Sequence, residues 1–300
     1  MTESVIKIEG LHFSYGKKQV LKGVNLEVPK GSIFGFLGRN GTGKTTTIKT
    51  LLGLQKPQAG RCMVGGLDSF TETLEVRRRI GFMAEDQQMY GWMTVSRIIK
   101  WVAGFYTDWD YKFANELADR LGLSKNMKVK ELSKGQNSSL ALLLALGHRP
   151  DIVILDDPTL GLDPIARKDF LRHVIDLLQS NGVTVFFSSH LLYEIEPVAD
   201  HIAILDKGII IKASRTEQLR ENVRKFVLTP VPEANFSRLP GILDVLKVGD
   251  NVSITVEDCN EEKRTQLKGI SANGMTEVAL NLDEIFEAYV IGNRGRELSV

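Results

Sequence analysis

Cysteine is nearly missing. Cys62 and Cys259 are the only two in 300 residues, far apart and in no metal-ligand spacing. That leaves no cysteine cluster from which to build a metal site, and it suits a reducing compartment. Charge of one sign is missing too, with 38 Lys plus Arg against 37 Asp plus Glu. The global basic field that drives nonspecific nucleic-acid binding is therefore lacking, and no nucleic-acid partner is expected. No apolar run approaches the ~18–20 residues that span a bilayer. The opening MTESVIKIEG shows no basic-then-apolar leader pattern. Internal repeats and low-complexity tracts are not found. The expectation is a soluble, cytoplasmic chain whose role at any membrane needs a partner that spans it.

What is present is an alternation of strand and helix patterns. Val5, Ile6 and Ile8, then Val24, Leu26 and Val28, lead through a Pro-Lys-Gly turn into the run Ile33–Leu37. A glycine-rich loop and a helix starting near Lys44 follow, and Ile80–Met83 reads as a further short strand. Within 94–148 the period becomes helical. Thr94 is placed to cap a helix carrying Val95, Ile98, Val102 and Phe105; Asp110 is placed to cap another carrying Phe113, Ala114, Leu117, Ala118 and Leu121, ended by Gly122. Buried-strand patterns return at Ile152–Leu155, Val183–Phe187 and Ile202–Leu205, with a helix over about 164–180 between the first two. Strands alternating with helices predict a largely parallel α/β sheet. Near Arg224 the pattern shifts to short alternating runs among charged stretches and Pro230, Pro232 and Pro240, with helices expected at 260–269 and 283–291. The domains expected are therefore 1–223, with a helical insert at about 88–148, and a small α+β domain over 224–300.

The segment GRNGTGKT at 38–45 carries the plainest chemistry. Gly38, Gly41 and Gly43 allow a sharp turn that presents backbone N–H groups to phosphate oxygens. The helix beyond adds its positive end. Lys44 supplies a point charge for β- and γ-phosphates, and the Thr45 hydroxyl suits a Mg²⁺ ion. A tight glycine turn is the bland alternative, and the strand before it with the helix after it argue against that. In VILDDP, Asp156 emerges at the C-terminal end of a buried strand, where ligands bind in parallel sheets, and is expected to hold Mg²⁺ or its water. Taken singly, Tyr15 in FSYG reads as a half-buried strand aromatic, His190 as a capping or core histidine, and Ser133 as a helix N-cap.

The string LSKGQ at 132–136 ahead of a helix, followed by a buried strand ending in two carboxylates, resembles the ATP-binding subunits of ABC transporters. The resemblance covers roughly residues 4–222, and LSKGQ is close to the family signature LSGGQ. It implies a P-loop NTPase fold: a RecA-like parallel sheet, an antiparallel β subdomain and a helical insert. Tyr15 then matches the aromatic that stacks on adenine. Gly38, Arg39, Asn40, Gly41, Thr42, Gly43, Lys44, Thr45 and Thr46 match the Walker A loop, and Asp156 the Walker B aspartate. Asp163, in GLDP, belongs to the D-loop, and His190 matches the switch histidine at the γ-phosphate. The family pairs two ATPase domains head to tail, so that Ser133, Gly135 and Gln136 of one subunit close on ATP held by the other. ATP and Mg²⁺ are the implied cofactors, and the implied partners are a second ATPase subunit, homo- or heteromeric, and a membrane-spanning permease.

Two positions depart from the family pattern. Asp157 stands where Glu usually serves as general base, and its carboxylate is shorter by one methylene, roughly 1–1.5 Å. Slow hydrolysis with intact binding is the expectation. An ATP-gated interaction module with little hydrolysis is the alternative reading. Glu85, in GFMAED, replaces the usual Q-loop glutamine; it keeps a metal-ligating oxygen and adds negative charge, as often in the exporter branch, which also often carries a lysine like Lys134 in the signature. The three tryptophans, Trp92, Trp101 and Trp109, fall within eighteen residues, among Tyr90, Phe105, Tyr106 and Tyr111. Trp101 and Phe105 read as core, whereas Met89, Tyr90, Trp92 and Met93 read as the permease docking stretch. The closing LDEIFEAY resembles C-terminal extensions of drug and polysaccharide exporter ATPases. The function expected is an ATP-hydrolysing exporter subunit, peripheral on the inner face of the cell membrane through its permease.

Overall fold

The computed structural model describes residues 3–179, 182–229, 240–248, 251–271 and 274–292. In the strands β1 (Ser4–Tyr15) and β2 (Lys18–Pro29), buried and exposed side chains tend to alternate. They pair antiparallel, Ile8 opposite Leu26 and Phe13 opposite Leu21. Such alternation belongs to a sheet with one face in a core and one in solvent. β3 (Ile33–Leu37) is instead buried at every position, so its apolar run serves both faces of an inner strand. The chain continues through α1 (Lys44–Leu51), β4 (Ala59–Val64), β5 (Leu67–Asp68), α2 (Thr73–Arg79) and β6 (Ile80–Met83).

Helices α3 (Val95–Ala103), α4 (Tyr111–Arg120) and α5 (Lys134–Leu146) come next, capped by the side chains of Thr94, Asp110 and Ser133. Caps supply acceptors for N–H groups that the first helical turn leaves unpaired, which is why these three polar residues start helices. Then come β7 (Ile152–Asp156), α6 (Pro164–Gln179), β8 (Thr184–Ser189), the short α7 (Leu192–Ile195), β9 (His201–Asp206) and β10 (Ile209–Arg215).

These strands form two sheets. One has the order β2-β1-β4-β5; the other, β10-β9-β3-β8-β7-β6, is parallel at its β9-β3, β3-β8, β8-β7 and β7-β6 pairings. One continuous core joins them. Ile6, Leu21 and Val24 of the first sheet cluster with Ile48 and Leu51 of α1 and with Phe36, Ile154 and Phe186 of the second. The helix that follows the glycine loop is thus anchored by its apolar residues in the core. The architecture is that of a P-loop NTPase.

The helical insert departs from expectation at one face. α3 ends at Ala103, Gly104 is its C-cap, and Phe105 lies beyond it, 68% exposed. Trp101 is exposed as well, edge-on to both Phe105 and Tyr90. Trp101 already faces outward within α3, where Val95, Ile98, Ile99 and Ala103 are the buried residues, and Phe105, four residues on, joins it on that outer side. Trp109 is the tryptophan that is core; its ring lies against Gly147, with Tyr106 beside it. Met93, expected at the docking surface, is buried.

The chain divides into two compact units, Met1–Ala213 and Ser214–Val300. The second contains α8 (Thr216–Asn222), β11 (Arg224–Leu228), β12 (Ile242–Val248), β13 (Asn251–Val256), α9 (Glu261–Ile270), β14 (Met275–Ala279) and α10 (Leu282–Val290). Its sheet has the order β12-β13-β11-β14, and Phe226, Val245, Ile254 and Leu267 share its small core. Pro230 and Pro232 lie outside the described residues.

Candidate functional site

The site begins where β3 stops. Gly38 follows Leu37, and a Cβ built on it would stand 2.6 Å from the Leu205 carbonyl oxygen and from Thr42 Oγ1. Only glycine passes there. Thr42 Oγ1 donates to the Arg39 carbonyl at 2.8 Å and closes the loop on itself. Gly43, at φ 116°, takes a left-handed conformation at the N-cap of α1 and provides no side-chain cap. The first N–H groups of α1 therefore have no side-chain cap acceptor, a geometry suited to an anion. Lys44 is buried; its Nζ donates to the Gly38 carbonyl at 2.9 Å and lies 3.4 Å from Asp157 Oδ2.

Sheet order supplies the carboxylates. β7 and β8 are parallel neighbours in a register that sets Asp156 opposite Ser188. Ser188 Oγ donates to Asp156 Oδ1 at 2.6 Å, and the Thr45 hydroxyl reaches the same carboxylate. Burial pushes the Asp156 carboxyl up, against the pull of those two hydrogen bonds. Asp157 follows at φ 42°, a left-handed conformation that aspartate tolerates better than most side chains. Its backbone N–H is bound by Ser188 oxygens at 3.1 Å. Its Oδ1 accepts the His190 backbone N–H at 3.1 Å and meets the His190 ring at Nδ1, 2.8 Å away. Lys44, Asp157 and His190 thus form one continuous polar chain. Glu85 is raised chiefly by burial and further by Asp157 and Asp156 nearby.

A cleft of about 420 Å³ opens beside this chain of groups, with Tyr15, Asn40, Lys44, Thr45, Glu85 and Asp157 in its lining, while Asp156 and His190 lie behind that lining, reached through Thr45 and Asp157. Tyr15 is half-exposed, held edge-on against Phe13 with its hydroxyl accepting from Gln55 Nε2 at 2.6 Å. Not every expected site residue comes here. Ser133 and Gln136 form a reciprocal capping box at the start of α5, with Gly135 one residue along, and none of the three lines this cleft. Asp163 Oδ1 accepts the N–H groups of Ile165 and Ala166, capping α6, and also lies outside the cleft lining. A second cavity, about 670 Å³, is lined by Lys134, Asn137, Gly161 and again Glu85.

Sequence reasoning missed the groups that hold this site in place. Ser188 binds both aspartates, and Glu194, 1% exposed, gathers Thr159, Ser189 and Arg167. A glutamate between Tyr193 and Ile195, in a short run that is otherwise apolar, was the one available signal.

A profile described as ABC transporter matches residues 21–160. The bacitracin transport ATP-binding protein BcrA of Bacillus licheniformis is 35% identical over 234 residues, 77% of this chain and 76% of that protein. The chain belongs to the ATP-binding proteins of ABC transporters. Similarity within this family also extends further along the chain. The ABC transporter ATP-binding protein YtrB of Bacillus subtilis (strain 168) is 28% identical over 291 residues, 97% of this chain and 99% of that protein. The second unit is therefore included in that match. Among solved structures, a dimeric ATP-binding cassette, MJ0796, in a post-hydrolysis state with ADP and Pi aligns at TM-score 0.63 and 23% identity, covering 70% of this chain and 98% of that one. That likeness shows the fold. Domains of the ABC family bind ATP, generally with Mg²⁺, and are generally ATPases. Among the described residues no helix of this ABC protein is long and apolar enough to cross a membrane.

Proposed function

We propose that this chain is the ATP-hydrolysing subunit of an ABC exporter, working as a head-to-tail dimer on a separate membrane-spanning subunit. The observation that carries the reading is the polar chain Lys44–Asp157–His190 beneath the glycine loop, beside the Thr45–Asp156 contact. In this reading Lys44 and the loop residues Gly38–Thr46 bind the phosphates, and Tyr15 packs on the adenine. Asp157 and His190 act on the attacking water and the γ-phosphate.

The donor set fits Mg²⁺. A hydroxyl and a buried carboxylate in contact, with Glu85 on the same cleft, are oxygen ligands of the kind Mg²⁺ takes, and Mg²⁺ commonly completes its shell with phosphate and water. Bound there, it would neutralise charge developing on the phosphates; Thr45, Asp156 and Glu85 would hold it.

The position of the signature supports dimerisation. Ser133, Gly135 and Gln136 sit on the exposed start of α5, outside their own chain's nucleotide cleft, so they are free to serve another's. The N-terminal end of a helix adds anion-binding N–H groups to that surface. The contiguous exposed cluster Tyr90, Trp92, Trp101 and Phe105 is the docking surface for the permease, extending the stretch Met89–Met93 read from sequence. That partner would hold the chain at the inner face of the cell membrane.

Asp157 is tied to His190 and Lys44, and one more methylene would carry a carboxylate farther into the cleft. Turnover is accordingly slow in this reading. Steady-state MgATP hydrolysis by the purified chain, beside Asp157→Glu and with Lys44→Ala as blank, tests it. Turnover above the blank, raised further in Asp157→Glu, is expected. Wild type indistinguishable from the blank overturns the hydrolytic reading.

A further inference from the structure

We infer that Glu194 is a positioning residue: it ties the loop that follows Asp157 to the segment that carries His190, and so fixes how His190 meets Asp157. The inference rests on the hydrolytic reading only for its kinetic consequence; the geometric part stands apart from it.

Glu194 is 1% exposed, and burying a carboxylate is unfavourable unless its oxygens are partnered. Each oxygen accepts one hydroxyl, and an arginine supplies the counter-charge. Oε1 accepts Thr159 Oγ1 at 2.7 Å and lies 3.1 Å from Arg167 Nε; Oε2 accepts Ser189 Oγ at 2.9 Å. These partners come from three separate segments. Thr159 sits two residues past Asp157, in a turn where Leu160 N–H reaches the Asp157 carbonyl and Leu162 N–H the Thr159 carbonyl, both at 3.1 Å. Arg167, on α6, donates from a terminal nitrogen to the Leu162 carbonyl at 3.2 Å, gripping the same turn from its far end. Ser189 immediately precedes His190, and its Oγ accepts the Leu191 N–H at 2.9 Å, so one hydroxyl brackets His190 on both sides.

His190 meets Asp157 Oδ1 through its backbone N–H and its ring together. A rotation at the Ser189–His190 link therefore disturbs both contacts at once. Glu194 joins Thr159, Ser189 and Arg167 in one node. Glutamine would offer one acceptor oxygen where the carboxylate offers two, and would leave Arg167 without its counter-charge. The node thus turns a movement of residues 159–162 into a movement of His190. Hydrolysis should feel it in turnover more than in nucleotide binding, because Lys44 and the glycine loop are not part of it.

The test uses the full chain with ¹⁵N-labelled histidine at fixed pH. His190 is assigned among five histidines by its loss in His190→Gln. The ring-nitrogen shifts report which nitrogen carries the proton and how Nδ1 is bonded. Glu194→Gln and Thr159→Val are expected to move the His190 signals toward those of a free ring, and Thr159→Ser, which keeps the hydroxyl, to restore them. In the same two variants kcat falls by about 10–100-fold, as for a small displacement of a reacting group, with little change in KM. If Glu194→Gln does not fold, Thr159→Val decides. His190 shifts identical to wild type in a folded Thr159→Val overturn the inference. Wild type hydrolysing no faster than Lys44→Ala would sink the hydrolytic reading instead, and the histidine spectra would still decide this one.

Discussion

Changing Asp157 to asparagine is expected to strengthen nucleotide binding while it stops turnover. In the structure Asp157 Oδ2 lies 3.4 Å from Lys44 Nζ, with both side chains buried. At that separation an effective dielectric of about 20 gives roughly 5 kcal/mol of attraction before desolvation is counted. Breaking such a pair by removing one partner typically costs about 3–5 kcal/mol. MgATP must draw Lys44 toward phosphate and so competes with this same pair. Asparagine keeps an acceptor for His190 but removes the charge that holds Lys44. If binding recovers only about 1.4 kcal/mol of the lost competition, affinity rises tenfold. Loss of the carboxylate as base, meanwhile, is expected to lower hydrolysis by about 10²–10⁴-fold. Titration with a fluorescent ATP analogue gives the first quantity and single-turnover phosphate release gives the second. Affinity that weakens or stays unchanged would refute the competition argument, and undiminished hydrolysis would remove Asp157 from the chemistry.

Three further outcomes are expected. Asp156→Asn should raise the melting temperature at neutral pH while abolishing Mg²⁺-dependent nucleotide binding. Burial raises the Asp156 carboxyl above its ordinary 3.8, so the folded state holds this proton more tightly than the unfolded chain. Its contribution to stability is then present below 3.8 and is lost as pH rises through the raised value, so the gain in the variant should shrink toward acid pH, as melting curves across pH would show. Ser133→Ala deletes the N-cap of α5 and should cost about 1 kcal/mol of stability. It should also weaken ATP-dependent dimerisation measured by light scattering, which a purely structural cap would leave intact. Trp92→Ala removes a side chain that is 63% exposed, so it should leave the melting temperature unchanged and reduce co-purification of a membrane partner; equal recovery of the partner would argue against docking at this cluster.

What the sequence by itself determined is what depends on neighbouring residues. The glycines of the 38–43 loop, the caps Thr94, Asp110 and Ser133, and the apolar runs Ile33–Leu37 in β3 and Ile152–Leu155 in β7 each state their local geometry within a few positions. Backbone freedom, capping and burial period act at that range, so the strand–loop–helix was legible, and with it the phosphate-binding role proposed for the loop. The outward placing of Trp101 and Phe105 was not, because apolar spacing along α3 does not by itself say which apolar side chains meet the core. β12 also escaped, since its ILDVLKV run has no clean period of two. Only the tertiary structure decided which distant groups meet. Asp157 reaches Lys44 and His190, and Ser188 reaches Asp156, because sheet order places β8 between β3 and β7. Glu194, marked in the sequence only by its apolar neighbours, closes on Thr159, Arg167 and Ser189 for the same reason. The partners of a buried charge are chosen by packing across the sheet, and no local pattern of residues records that choice.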